Sequence, residues 1–419
     1  MLQKNKPLDL TIIGAGMIVH DLILPAAYQL QRMGNVRDIT ICDMRVSSLK
    51  SLKEDKEMSI AFPGQTFTPC PAIEDGDSSD PAVYKKVLEK REPHQAVIIA
   101  LPDQLHYQVL RDVLDYNQHV LCVKPLVLKY EQSIEIEKKA LERGCFVGVE
   151  YHKRFDRRSL LARKHYEQGD LGEFMMGEAK MIEPYYYRHS NFQNWFTCEN
   201  TDPFVYVGCH YVDLTYFITG LKPIEVSVSG VKGKFPNGKE GYMWANGRVR
   251  FENGALLSVT DGLGYPDTSA GSNEQCLNMY FEGDDKAGTL AHDDQYRGVE
   301  YGFTDNVDKQ FQYVNPDFYR LVPWEGEGLK PVGYGFDSIA ATITSASRIE
   351  AEVDASSEDA LTVRQNNIKA ANEKGLIATP QNSAINELVQ EAARLSILNG
   401  GDIALIEYEP TPSVRLKHQ

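Results

Sequence analysis

An α/β fold is predicted: a doubly wound parallel-sheet domain over about residues 1–150, then an α+β domain with a large, mostly antiparallel open sheet over 151–419. Three observations carry this. Up to Glu150, short uniformly apolar runs alternate with helical periods, as parallel strands and their crossover helices do. A glycine turn follows the first apolar run. Beyond about residue 155 the strands lengthen and alternate apolar with polar residues around Asn-Gly or Gly-Asp turns. At 419 residues the chain exceeds what one core usually serves, with an allowance for C-terminal helices packing back on the first domain.

Leu10 to Ile13 is the first strand, and GAGMIVH turns it into a helix. Asp38 to Cys42 is the second. Ala61 to Pro81, rich in Pro, Gly and Asp, predicts an irregular inserted excursion before a helix over Ala82 to Lys90. Ala96 to Leu101 is apolar throughout, as a strand buried on both faces must be, and Pro102 ends it before a helix carrying Leu105, Val109 and Val113. His119 to Val123 is a strand, Tyr130 to Arg143 an amphipathic helix stopped by Gly144, and Cys145 to Val149 a strand again. In the second domain EVSVSGVKG, GRVRFENGALLSVTDG and QCLNMYFEGDDKAGTL predict sheet strands. Between them DPFVYVGCHYVDLTYFITG predicts a helix capped by Asp202, with Pro203 in its first turn and Gly220 closing it. Ala384 to Leu398 is a strong helix before Gly400 and Gly401.

The charge excludes some functions. Lys and Arg total 44 against 59 Asp and Glu, and a net charge of -15 repels phosphate backbones and anionic lipid, so neither nucleic acid nor membrane is expected as a partner. No apolar stretch approaches the roughly 20 residues that cross a bilayer. The opening residues leave no room for a signal peptide, and seven scattered cysteines without CxxC spacing suit reduced thiols and no metal; the expected location is cytoplasmic.

The glycine turn places Gly14 and Gly16 where a backbone must approach a pyrophosphate, with Met17 and Ile18 completing the turn and Val19 at the third glycine position. A plain structural turn is the bland alternative. Asp43 favours the Rossmann, dinucleotide-binding reading: it ends the second strand, 24 residues past Val19, where a carboxylate accepts hydrogen bonds from ribose hydroxyls. NAD is therefore expected, and Arg45 keeps NADP as the alternative. Ligands bind along the carboxyl edge of a parallel sheet, and Gly14, Asp43, Leu101, Pro102, Lys124 and Glu150 all fall there. Lys124, in HVLCVKPLVL, thus lies at the mouth of a cofactor cleft and not mid-strand. Glu150 and His152 become substrate candidates by the same position.

These segments resemble the Gfo/Idh/MocA family of sugar and cyclitol oxidoreductases. LTIIGAGMIVHDLILPA, AVIIALPDQLH, HVLCVKPLVL, VGVEYHKRFD and VGCHYVDLTYFITG occur in the family's order and spacing, over roughly the whole chain, the excursion and parts beyond Asp284 being additions. The resemblance implies that Lys124 and Pro125 match the family's Glu-Lys-Pro motif, with Val123 in place of glutamate, and that this lysine contacts the nicotinamide ribose and the reacting hydroxyl. It implies cofactor contacts for Pro102, His106 and Arg154. It implies a catalytic role for His210, while the aspartate four residues earlier is Tyr206 here. It also implies a homodimer or homotetramer pairing through the C-terminal sheet.

On a helix Tyr206, His210 and Asp213 share one face. Oxidising a secondary alcohol sends a hydride to nicotinamide and a proton to a base, a role that suits His210, with Lys124 polarising the oxygen, Tyr206 donating a hydrogen bond and Asp213 binding substrate or orienting the imidazole. EPYYYRHSNFQNWF interleaves aromatics with Arg188, His189 and polar residues, and Trp195 and its neighbours suit a sugar ring; a loop tucked under its own aromatics is the alternative. The expected function is hydride transfer between nicotinamide and a ring hydroxyl or ketone of a sugar, glycoside or cyclitol. Two rivals remain: an enzyme that retains NAD and cleaves or epimerises a glycoside through transient oxidation, and a dinucleotide-binding sensor without turnover.

Overall fold

A six-stranded, all-parallel sheet organises the N-terminal half. Its strands are β1 (Leu8–Ile13), β2 (Val36–Cys42), β3 (Thr68–Cys70), β4 (Ala96–Ile99), β5 (His119–Val123) and β6 (Val147–Glu150), in the order β3-β2-β1-β4-β5-β6. The strand order reverses between β1 and β4, which is where an open α/β sheet binds its ligand. This computed structural model describes residues 5–269, 273–284, 286–293, 299–302, 311–314 and 317–418. The chain divides into two compact units, Met1–Val127, Glu131–Phe155 and Phe318–Asn382 in one, and Leu128–Tyr130, Asp156–Asp317 and Ser383–Gln419 in the other.

The apolar runs form strands because both faces are covered. Leu8, Leu10, Ile12, Ile39, Ile41 and Ile98 are buried with helix Leu24–Arg32 and with Ile339 and Ile343 of helix Tyr334–Ala355. Helix Tyr130–Arg143 has the bounds its periodicity predicts. The stretch from Ala61 to Pro81 is a correction: it is not wholly irregular but contains β3, the sheet's edge strand. Three residues with a central Pro69 give no periodic signal, and an edge tolerates a proline that cannot donate to a ladder. The helix expected over Ala82 to Lys90 shrinks to Lys85–Leu88.

The second unit is built on an eight-stranded sheet. After β7 (Glu173–Pro184), β8 (Pro223–Lys234), β9 (Glu240–Phe251), β10 (Leu256–Tyr265), β11 (Glu274–Gly283) and β12 (Lys286–Asp293) comes the short pair β13 (Val299–Gly302) with β14 (Phe311–Val314), and then, in the first unit, β15 (Arg320–Pro323) with β16 (Leu329–Val332). The strands β17 (Ala404–Glu407) and β18 (Ser413–Leu416) then complete the order β12-β11-β7-β10-β9-β8-β17-β18. All neighbours are antiparallel except β7 with β10. Helix Ile385–Leu398 follows its predicted span within a residue. No helix among the described residues is long and apolar enough to cross a membrane. All seven cysteines are free.

A buried ion pair braces the first unit away from the strand ends named above. The Phe146 N–H donates to Nδ1 of His119 at 2.9 Å, so the ring proton sits on Nε2, 3.0 Å from Glu350 Oε1. Arg364 donates to both Glu350 oxygens at 2.7 Å. Burial alone would raise the Glu350 pKa, but Arg364 and then His119 outweigh it and bring it down to about 2. Burial, then His119 and Arg364, lower His94 to about 4. Both are depressed, so their contributions are complete above the unfolded values and lost as pH falls: His94 from about 6.5 to 4, Glu350 from about 4.5 to 2. Urea midpoints should therefore drop between pH 7 and 4.5, and less in His94→Asn, a residue that tolerates the φ of 61° at that position. Arg364→Met, which strands the Glu350 charge, should cost about 3–5 kcal/mol at pH 7 in the same assay.

Candidate active site

The glycine turn and the carboxyl ends of the parallel strands lie in the first unit. Gly14, directly after β1, has φ +108°, and a Cβ there would lie 2.1 Å from the Ala100 carbonyl oxygen, so both backbone and packing demand glycine. Its N–H donates to the Cys42 carbonyl at 2.8 Å, tying the turn to β2. Gly16 is different: its φ lies outside the left-handed region, it is exposed, and a Cβ would meet no atom within 4 Å. Neither conformation nor internal packing explains glycine there; open approach for an external group does. The Asp43 Oδ2 accepts from the Ala15 N–H at 2.9 Å and Oδ1 from the Arg45 N–H at 2.8 Å, so this carboxylate is clamped beside the turn. The backbone then enters a π-turn, Val19–Ile23, before helix Leu24–Arg32. Such turns recur at functional sites. An uncluttered glycine turn, a fixed acidic group at the end of β2 and the strand-order switch together fit a dinucleotide.

Other predicted residues of this unit take varied positions. Met17 and Arg45 are exposed, and Ile18, Leu101, Pro102 and Lys124 are half-buried. Lys124 directly follows β5 and precedes Pro125 through a cis peptide bond. His106, expected at the cofactor, lies between two backbone carbonyls. It is fully buried, with Nδ1 2.7 Å from the Pro125 carbonyl and Nε2 2.8 Å from that of Leu101. Both nitrogens lie at hydrogen-bond distance from carbonyl oxygens, so this ring packs between the loop after β4 and the Lys124–Pro125 turn. Glu150 Oε2 pairs with His152 Nδ1 at 2.9 Å, while Oε1 is buried with no hydrogen-bond partner among the described residues. The His152 ring packs against Phe318 and Tyr334, at 5.1 and 5.7 Å. Arg154 is buried, with Nη1 3.1 Å from Asn382 Oδ1 and its guanidinium 6.0 Å over the Tyr151 ring.

The helix that carries His210 lies in the second unit. Asp202 Oδ1 accepts from the Val205 N–H at 3.0 Å as the predicted cap, and Gly220 closes the helix at φ +70°. Between them the helix starts as a π-turn, Phe204–Gly208, and continues as Cys209–Thr219. A Cβ on Gly208 would lie 2.6 Å from Asp261 Oδ2, so the glycine admits this buried acid of β10 against the turn. His210 and Asp213 are both buried on one helix face, and Asp213 Oδ1 accepts from Asn386 Nδ2 at 2.8 Å. Tyr206 stands within an aromatic cluster, edge-on to Phe192, Phe196 and Trp195 with centroids 5.3–5.5 Å apart. Arg188 lies 4.9 Å over the Tyr185 ring and donates to the Leu263 carbonyl, and exposed His189 packs on the same tyrosine at 5.5 Å. The structure thus gathers Tyr206 with Trp195, and Arg188 with His189, while Asp213 is held by a residue that sequence reasoning missed. Asn386 had a visible signal: with Glu387 and Gln390 it puts polar groups among the buried residues of a largely apolar helix.

Residues 8–151 match the model of the Gfo/Idh/MocA oxidoreductase family's NAD-binding Rossmann fold, and residues 159–275 that of the family's C-terminal domain, together more than half of the chain. A D-glucoside 3-dehydrogenase of Escherichia coli (strain K12) is 22% identical over 226 residues, 53% of this chain and 56% of that protein. The matched part spans about half or less of the curated relatives' length. The fold is similar to that of myo-inositol 2-dehydrogenase from Lactobacillus plantarum (17% identity, TM-score 0.60, 95% of this chain, 99% of that one). It is also similar to that of scyllo-inositol dehydrogenase from Lactobacillus casei, solved with NAD(H) and scyllo-inositol (15%, TM-score 0.57, 96% and 99%). The parallel sheet with its glycine turn and the mixed sheet behind His210 are accordingly the two domains of one family: this chain belongs to the Gfo/Idh/MocA oxidoreductases, with an NAD-binding Rossmann domain at residues 8–151.

Proposed function

We propose that the protein transfers a hydride between NAD and a ring hydroxyl or ketone of a sugar, glycoside or cyclitol, with Lys124 and His210 handling the proton. The observation that carries this is Lys124 at the carboxyl end of β5, on the same sheet edge as Gly14 and Asp43, in a family whose relatives include a D-glucoside 3-dehydrogenase. NAD, when bound, supplies the hydride acceptor or donor. The clamped Asp43 carboxylate favours NAD over NADP, because a 2'-phosphate would meet its negative charge. Lys124 polarises the substrate oxygen, and His210 takes up or returns its proton. Asp213, held by Asn386, orients the imidazole; Tyr206 and Trp195 offer ring faces to the apolar side of a sugar. Gly14, Gly16, Met17, Ile18, Leu101 and Pro102 line the cofactor, and Glu150, Arg188 and His189 are the polar groups for substrate.

Purified protein mixed with NAD and a panel of cyclitols, hexoses and glucosides tests this. Net nicotinamide reduction is expected with at least one of them. Product without net reduction points to the cofactor-retaining rival, and tight NAD binding without turnover to the sensor. Asn386→Leu should lower kcat about 10- to 100-fold, the worth of a hydrogen bond to a charged group, and displace a limb of the pH–rate profile. A flat pH comparison would leave Asn386 a packing residue only.

Assembly through the second sheet is part of the same reading. Met176 and its register partner Tyr280 are exposed on the face where Trp244 covers Gly262 and Gly264. A second copy burying that face gives the dimer or tetramer, and light scattering of Trp244→Lys against the native chain checks it.

A further inference from the structure

We propose that Cys42 and Cys70 form a reversible disulfide that weakens NAD binding. The two residues are register partners at the carboxyl ends of the parallel strands β2 and β3. Neighbouring strands run about 4.8 Å apart, within the Cα separation of about 4.4–6.8 Å that a disulfide spans. The side chains already interact: hydrogen bonding to Cys42, with help from Lys86 and Lys90, lowers the Cys70 pKa to about 7 against the effect of burial, and the same contact and burial raise that of Cys42. Burial shifts Cys145, Cys198 and Cys276 upward instead. Cys70 is partly exposed on an edge strand of only three residues, while Cys42 is buried. An accessible, partly ionised thiol beside a protonated one is the arrangement of an attacking and a resolving cysteine.

The chemistry balances with a hydroperoxide as oxidant. The Cys70 thiolate attacks the peroxide, an S–O bond forms, the O–O bond breaks and hydroxide leaves as water, so that sulfur loses two electrons and the peroxide gains them. The Cys42 thiol then attacks the sulfenic sulfur; the S–S bond forms, the S–O bond breaks, and the departing hydroxide takes the Cys42 proton. A dithiol reductant reverses the bond by exchange.

The consequence for NAD comes through the backbone. The Cys42 carbonyl holds the Gly14 N–H, and the Asp43 N–H donates to the Cys70 carbonyl at 3.1 Å. Cβ atoms on adjacent strands lie near the strand spacing of about 4.8 Å, whereas a disulfide prefers about 3.8 Å, so closure draws these strand ends together. Gly14 and Asp43 move with them.

The test uses the full chain with hydrogen peroxide, alkylation of remaining thiols, tryptic digestion and mass spectrometry. Peptides 38–45 and 57–85 should appear joined. The NAD dissociation constant should rise about tenfold and return on adding dithiothreitol, and Cys70→Ser should bind NAD normally and ignore peroxide. By linkage, saturating NAD should favour the dithiol by the same factor in a glutathione redox buffer. Oxidation of other thiols without the joined peptides overturns the proposal, as does the joined pair with unchanged NAD affinity. The readout needs no substrate, so it stands apart from any failure of the proposed dehydrogenase activity.

Discussion

Lys124→Met is expected to lower kcat/KM with the best sugar or cyclitol substrate by roughly 10²–10⁴-fold, the range that a positioned proton-transfer group contributes. Methionine keeps the length and apolar stem of lysine but offers no charge and no proton. NAD affinity should change less than tenfold, because the glycine turn and Asp43 lie on other strands of the sheet. His210→Asn should bring a loss of the same order. If the two groups serve one proton, the double variant should be little worse than either alone, since residues acting as a unit are far from additive. Steady-state kinetics over a pH series reads all three, and a loss under threefold for Lys124→Met would remove it from the chemistry.

The second large effect separates two glycines that look alike in GAGMIVH. Gly14→Ala puts a methyl 2.1 Å from the Ala100 oxygen in a backbone with φ +108°, and should destabilise the first unit by about 3 kcal/mol or more. Gly16→Ala meets no atom within 4 Å and has an ordinary φ. Its thermal midpoint should stay within about a degree or two of the native chain, yet its NAD dissociation constant should rise at least about tenfold, since the added methyl occupies the space left for the diphosphate. Calorimetry with and without NAD measures both. A Gly16→Ala chain that bound NAD normally would show the open space to be incidental.

What could be read in advance followed the strength of local signals. β4 and β5 were legible because burial on both faces demands uninterrupted apolar residues, and Tyr130–Arg143 because one apolar stripe recurs at helical spacing. β3 was not, since three residues around a proline have no period, and with it the Cys42–Cys70 pairing stayed hidden. Both π-turns were invisible for a related reason: one extra residue in a helical turn leaves the apolar pattern almost unchanged. For the site, position at a strand end was legible and side-chain engagement was not. Lys124 and Asp43 directly follow strands and Glu150 ends one, but the local pattern does not show that His106 sits between two carbonyls or that Asp213 leans on Asn386, 173 residues away.

A crystal structure of the protein with NAD and the most active cyclitol or sugar decides whether Lys124 and His210 meet the same substrate. The Lys124 ammonium and the His210 ring are expected both within hydrogen-bond reach of one substrate oxygen, with the carbon bearing it against the nicotinamide. A substrate oxygen met by neither group, or a nicotinamide seated away from the carboxyl end of β5, would contradict this arrangement.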